Sequence, residues 1–292
     1  MHTPRIGFVR YLNTVPLVEG LEAWSGVGLL PGAPAELADM LREGRADVAL
    51  VSLVDALGPR GSLTLLPEGM IGCDGPTLTV RVFSRSPLDR VSQLAVDRES
   101  HTSVALARLV LEYRHGTRPE IGVFTAPDAG AWEGAPESVL LIGDKVVNAA
   151  PPERLYPHQL DLGAAWHELT GLPFVYAVWM CRAGEESSAT VRTAREVLER
   201  QRRRNRMRLD WLIAKHAPGH GWPVELASRY VKEYLRYEVG PREREAVGRF
   251  AVLARELGVL PPGEPPRWAD AGAAAVGEAV RRAAAPTSTL QP

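Results

Sequence analysis

Short apolar runs alternate with segments of helical period through the first 180 residues of the chain. Strand-like runs fall at Ile6–Val9, Val48–Val51, Leu63–Leu66, Leu78–Phe83, Leu94–Val96, Ile121–Phe124, Val139–Ile142 and Phe174–Trp179. Between them, Ala35–Leu41, Val104–Tyr113 and Ala164–Leu169 place apolar residues on one face of a helix. This alternation predicts βαβ units and an α/β fold with a mainly parallel sheet. Beyond residue 186 no strand-like run is left. Three helices are predicted there: a long one from Ser188 to Lys215, then Val224–Tyr237 and Arg242–Leu257, separated by the breakers at Gly219–Pro223 and Gly240–Pro241. From Pro261 the chain is rich in Pro and Ala, with one weak helical pattern around Ala273–Ala283.

Two of the strand-like runs read as crossings between lobes. Leu78–Phe83 ends in Ser84-Arg85-Ser86-Pro87, after which the pattern restarts as in a new sheet. Phe174–Trp179 is the return, since only helices follow. Two crossings give one lobe of residues 1–86 plus 178–292 and a second of 87–177. A ligand is expected in the cleft between them, because pockets favour such interfaces.

Composition narrows the function classes. With 292 residues, 45% hydrophobic residues and a formal net charge of −1, the chain has no basic excess to favour nucleic acid. Its two cysteines, Cys73 and Cys181, stand far apart and outside any metal-binding spacing, so a reducing cytosol is the expected setting. The start, MHTPRIGFVRYLN, lacks the apolar core of a secretory signal, and no run nears the roughly 18 apolar residues of a membrane span. A cytoplasmic protein without a membrane partner is expected.

Candidate chemistry collects at element ends. In Arg5–Leu21 a strand runs straight into a helix start, with Pro16 in the first turn. Ligands gather at strand ends in α/β sheets, and Asn13 stands at one; N-capping of the helix is the alternative role for its amide. Ser52 ends another apolar run. Thr79 follows the Asp74-Gly75-Pro76 turn and offers a hydroxyl from a crossing strand, although threonine favours strands in any case. Ser100, Thr102 and Ser103 open the Val104–Tyr113 helix, where hydroxyls and free N–H groups suit a carboxylate. Gly143 permits close approach of backbone to ligand, and Asp144 beside it is read first as a helix cap. The arginines from Arg192 to Arg208 lie on a helix that also carries an apolar face and interrupting glutamates, so a solvated surface is expected. His101, His158 and His167 show no ligand spacing, and phosphate-loop, dinucleotide, nucleophile-elbow and zinc-protease motifs are missing.

Six blocks in order, RIGFVRYLNTVPLVEGL, DVALVSLVDAL, GCDGPTLTV, SHTSVALARLVL, LLIGDKV and DLGAAWHELTGLPFVYAVW, resemble the chorismate dehydratase family of the futalosine route to menaquinone. The resemblance covers about residues 5 to 260. It implies a two-lobed fold similar to type-II periplasmic binding proteins. The implied activity is loss of water from chorismate to give 3-[(1-carboxyvinyl)oxy]benzoate, without metal or organic cofactor. Carried onto this chain, it implies catalytic roles for Asn13 and Thr79, with Thr79 standing where the family has serine. Tyr11, Ser52, Ser100, Thr102, Ser103, Gly143 and Asp144 are the implied substrate-binding residues. The family's S-R-T-S helix start reads Ser100-His101-Thr102-Ser103 here, so a guanidinium is exchanged for an imidazole.

No Asp, Glu, Lys or His in the matched motifs stands out as a general base. The substrate's own enolpyruvyl carboxylate is therefore the expected proton acceptor, with Asp144 and His101 next in line. Three rival readings share the fold: a solute-binding protein for a small carboxylate, a sister enzyme acting on cyclic dehypoxanthine futalosine, and a ligand-sensing regulator. The first calls for an export signal and the last for a helix-turn-helix; neither is evident. The YLN and DGP blocks favour the dehydratase over the sister enzyme.

Overall fold

A computed structural model of the chain describes residues 3–58, 63–96, 101–125 and 132–269. Eleven strands occur among them: β1 (Arg5–Phe8), β2 (Gly28–Pro31), β3 (Val48–Ser52), β4 (Leu63–Cys73), β5 (Val80–Ser84), β6 (Gln93–Val96), β7 (Glu120–Val123), β8 (Ser138–Ile142), β9 (His158–Asp161), β10 (Phe174–Arg182) and β11 (Leu235–Arg236). The helices are α1 (Val15–Val18), α2 (Pro34–Arg42), α3 (Val54–Leu57), α4 (His101–His115), α5 (Lys145–Asn148), α6 (Leu162–Thr170), α7 (Ala189–Arg206), α8 (Leu209–His216), α9 (Val224–Arg229) and α10 (Pro241–Glu256).

The strands form two sheets, ordered β11-β4-β10-β3-β1-β2 and β7-β6-β8-β5-β9. Each is mixed rather than mainly parallel. In the first, β1 pairs parallel with β2 and β3, whereas β10 returns antiparallel between β3 and β4. In the second, β6 pairs parallel with β7 and β8, and β5 lies antiparallel between β8 and β9. The inserted strands β5 and β10 each follow a crossing, and direct entry beside a neighbour leaves no crossover helix to restore parallel direction. Central strands are apolar throughout, as a strand covered on both faces requires: Val48, Ala49, Leu50 and Val51 are all buried.

The chain leaves the first sheet after β4 and enters the second at β5, then leaves after α6 and returns at β10. The crossing segments are thus residues 74–79 and 171–173, not the apolar runs themselves. Residues 80–86 and 174–177 accordingly fall on the other side of the division from the one their sequence pattern indicated, because each run pairs within a single sheet.

The helices after β10 pack on the first sheet, with α7 against β4 and α10 against β10 and α4. The expected single helix from Ser188 to Lys215 is two, broken at Met207-Arg208. Gln201 and Asn205 are buried on α7, where both amides donate to the Glu19 carbonyl at the end of α1. The bend after them returns Leu212 and Ile213 to the core. The expected Val224–Tyr237 helix is α9, a π-helical turn at Tyr230–Tyr234, and then the edge strand β11, which pairs Leu235 with Cys73. The weak helix around Ala273–Ala283 lies outside the described residues. Among the described residues, no helix is long and apolar enough to cross a membrane.

Candidate active site

A cavity lies where the two sheets meet. Its lining draws Tyr11 and Asn13 from the turn after β1, Ser52 from the end of β3, Thr79 from the first crossing, Thr102 and Ser103 from α4, and Gly143 from the end of β8. Seven of the nine implied site residues therefore converge on one space, although they lie up to 132 positions apart. Ser100 lies outside the described residues. Asp144 is a correction: it is absent from the lining, because Trp222 and His220 take up its carboxylate. Nor does its side chain cap α5.

Asn13 sits in the 3-10 turn Leu12–Thr14. That turn is stitched by Thr14, whose hydroxyl donates toward the Val9 and Tyr11 carbonyls and accepts from Tyr11 N–H at 3.2 Å. The stitching leaves the Asn13 amide free to face the cavity. Asn13 hydrogen-bonds the Tyr230 hydroxyl, while its Oδ1 is buried without a partner. The amide N–H is consequently the donor in that bond. Tyr230 also shares a 2.7 Å hydrogen bond with the Thr79 hydroxyl. Asn13, Tyr230 and Thr79 form a polar triangle, with Tyr230 and Thr79 buried and Asn13 half-buried, that joins three distant parts of the chain. Burial pushes the Tyr230 phenol above the usual tyrosine range, so it stays protonated at neutral pH.

The crossing segment that carries Thr79 is strained and clamped. Leu78 has φ +70°, which a residue with a branched side chain rarely adopts. Asp161 holds it there, accepting from Thr77 N–H at 2.9 Å and Leu78 N–H at 2.7 Å. The same carboxylate caps α6 through Gly163 and Ala164. Gly163 presses so closely on this segment that a Cβ there would lie 2.0 Å from Thr77 Oγ1. On the far side of Thr79, its carbonyl accepts from Gly143 N–H at 2.8 Å, and Gly143 has φ +60°. A strained backbone held from both sides fixes the Thr79 hydroxyl in direction.

At the start of α4, Thr102 and Ser103 are both buried, and Thr102 Oγ1 accepts from Val54 N–H across the cleft at 3.3 Å. His101 points away from the lining. Its Nδ1 lies 3.0 Å from Asp55 Oδ1, and that hydrogen bond raises the imidazole pKa above its ordinary value. The imidazole thus pairs with Asp55 of α3. Among the described residues, the lining contains no Asp, Glu, Lys, Arg or His. Apolar walls come from Val9, Leu50, Ile71, Ile142 and Leu235.

Sequence reasoning missed Tyr230, Tyr176 and Asp161. Tyr176 lines the cavity from β10 and bonds the Thr77 hydroxyl at 2.7 Å. Asp161 carried a readable signal, since it stands just ahead of a predicted helix in N-cap position. Tyr230 carried none: it occupies an apolar position of a predicted helix, and only the tertiary fold gives it Thr79.

A family model described as menaquinone biosynthesis matches residues 4–256. A chorismate dehydratase from Thermus thermophilus is 32% identical over 262 residues, covering 84% of this chain and 93% of that protein. A second, from Campylobacter jejuni, is 24% identical over 251 residues, covering 85% of this chain and 92% of that protein. Among solved structures, a Candida albicans gene product with the generic periplasmic binding protein fold superposes with a TM-score of 0.65 at 10% identity, covering 90% of this chain and 92% of that one. That likeness fixes the architecture as the two-lobed α/β fold of periplasmic binding proteins.

Proposed function

We propose that this chain, which belongs to the menaquinone biosynthesis family, is a chorismate dehydratase that eliminates water from chorismate to give 3-[(1-carboxyvinyl)oxy]benzoate. The observation that carries the reading is the polar triangle with its orphaned acceptor. A buried carbonyl without a donor costs about 1–3 kcal/mol until a ligand supplies one. With both carboxylates ionised, the only conventional donor chorismate has is its C4 hydroxyl, the group that leaves. Asn13 Oδ1 is thus matched to the leaving hydroxyl, with Thr79 and Tyr230 beside it.

The proposed reaction is redox-neutral. The C3–H bond breaks, and its electron pair moves toward the ring carboxylate through the conjugated double bond. The C4–O bond then breaks, the ring becomes aromatic, and proton and hydroxide together make one water. Donors at Thr102, Ser103 and the start of α4 face the ring carboxylate in this reading, where charge builds in the transition state. The proton goes first to the substrate's enolpyruvyl carboxylate, held within reach by the cavity walls, and passes from that carboxyl to the departing C4 oxygen, which leaves as water. Support comes from the lining: within the described residues it offers hydroxyls and an amide but no side chain with the basicity to take that proton.

The test is incubation of the purified protein with chorismate and chromatography of the products. Appearance of 3-[(1-carboxyvinyl)oxy]benzoate is expected; binding without product would favour a solute-binding role. An analogue with the enolpyruvyl carboxylate reduced to an alcohol is expected to bind without turning over. Turnover of that analogue would require a base from the protein.

A further inference from the structure

A cluster at one end of the cleft ties the two sheets together without taking part in the chemistry above. Asp144 follows Gly143 at the end of β8, in the second sheet. Its Oδ1 accepts from Trp222 Nε1 at 2.9 Å, and its Oδ2 lies 3.0 Å from His220 Nδ1. One turn further on, Asn148 Nδ2 donates to the His220 carbonyl at 2.9 Å. The fit is close, since a Cβ on Gly221, which has φ +75°, would stand 3.2 Å from the Asn148 amide. His220, Gly221 and Trp222 lie between α8 and α9, whose side chains belong to the core of the first sheet. These bonds therefore join the lobes at a point where no crossing segment does.

The contact continues inward. Trp222 is 3% exposed, and its indole stacks on the Tyr230 ring at 4.8 Å between centroids and 21° between planes. Tyr230 is the shared partner of Asn13 and Thr79. A continuous set of contacts thus runs from Asp144 on one lobe, through an indole held at both its N–H and its face, to the hydroxyl in the cavity.

We infer that Asp144 is a positioning residue: its carboxylate latches the closed lobes onto Trp222, and Trp222 fixes Tyr230, and with it the Asn13–Thr79 pair, in reacting geometry. The bond exists only when the lobes are together, and a charged acceptor makes it stronger than a neutral one. Opening the cleft would release the indole N–H to water and loosen the plate behind Tyr230. Closure and assembly of the site become one event. The role goes beyond the chorismate dehydratase reading, and only its kinetic arm rests on that reading.

The test compares wild type with Asp144→Ala, Asp144→Asn, Trp222→Phe and the Asp144→Ala/Trp222→Phe double variant. With chorismate, Asp144→Ala and Trp222→Phe are each expected to lower kcat about tenfold with KM changed less than about threefold. The double variant should be no slower than the slower single, because both remove the same bond. Asp144→Asn retains an acceptor for the indole and should stay within about threefold of wild type. Independently of turnover, amide hydrogen exchange in Asp144→Ala should accelerate at residues 143–148 and also at 77–80 and 229–235. Multiplying single-variant effects, or faster exchange confined to 143–148, overturns the inference. If wild type does not convert chorismate, the proposed function fails instead, and the exchange pattern alone decides the latch.

Discussion

Two parts of the cavity lining do opposite things with charge. The Asn13–Tyr230–Thr79 triangle is uncharged, with Tyr230 and Thr79 buried and Asn13 half-buried, and it binds together residues from the first turn, the first crossing and the C-terminal helices. The start of α4 presents the Thr102 and Ser103 hydroxyls inward but keeps its ionisable group, His101, turned outward onto Asp55. Among the described residues, charge is therefore absent from the lining, and His101 stands outside it. A dianion entering such a space meets donors and, among the described residues, no competing carboxylate. A buried carboxylate there would raise the cost of bringing in the substrate's own. In the proposed reaction the triangle would take the departing hydroxyl and the helix start would anchor a carboxylate.

If that division holds, the largest loss follows from breaking the triangle at its orphaned acceptor. Asn13→Ala removes both the acceptor and the donor to Tyr230. It is expected to lower kcat by about 10²–10³-fold, the scale seen when one preorganised polar group is deleted from an active site. Thermal unfolding should move little, because Thr14 rather than Asn13 stitches the turn. Near-wild-type kcat on chorismate would return Asn13 to a structural role and erase the contrast between the two parts.

A smaller loss is expected at Thr79. Thr79→Val keeps the shape but leaves the buried Tyr230 hydroxyl short of a partner, at a cost of about 1–3 kcal/mol. A fall in kcat/KM of about ten- to a hundredfold should follow. Thr79→Ser restores the hydroxyl and should stay within about threefold of wild type. Equal losses in Val and Ser variants would show that the methyl group's packing, not the hydroxyl, is what the site needs.

The same contrast explains how much of the molecule was legible in its sequence. Asn13, Ser52, Thr79 and Gly143 stand at or beside strand ends, and strand ends of α/β sheets meet at the cleft whatever the details of pairing. Local pattern therefore located them. The triangle's third member was invisible, because Tyr230 and Thr79 are 151 positions apart and nothing near Tyr230 marks it as polar in use. Among the strands, β2, β9 and β11 went unread. β2 and β9 are sheet edges with little full burial, and β11 is two residues formed where a π turn ends. Edge strands draw their stability from one neighbour, so they need no apolar run of their own. Asp144 shows the reverse failure: a local cap reading was available, yet a partner 78 positions away decided its role.

The smallest effect lies on the rim and tests it by pH. The Asp55 hydrogen bond raises the His101 pKa in the folded chain above its unfolded value. The pair's stabilisation is therefore complete below about pH 6.5 and is lost as pH rises through the elevated folded value. His101 is about 40% exposed in its side chain, so solvent screening limits the contribution to under about 1 kcal/mol. Thermal unfolding of wild type should weaken slightly from pH 6 to pH 8, and His101→Gln should lose part of that slope. The chorismate KM of His101→Gln should change less than about threefold, because the imidazole faces α3 and not the lining. A KM raised tenfold or more would mean that the imidazole turns inward to the substrate carboxylate, and rim and lining would then share the anchoring charge.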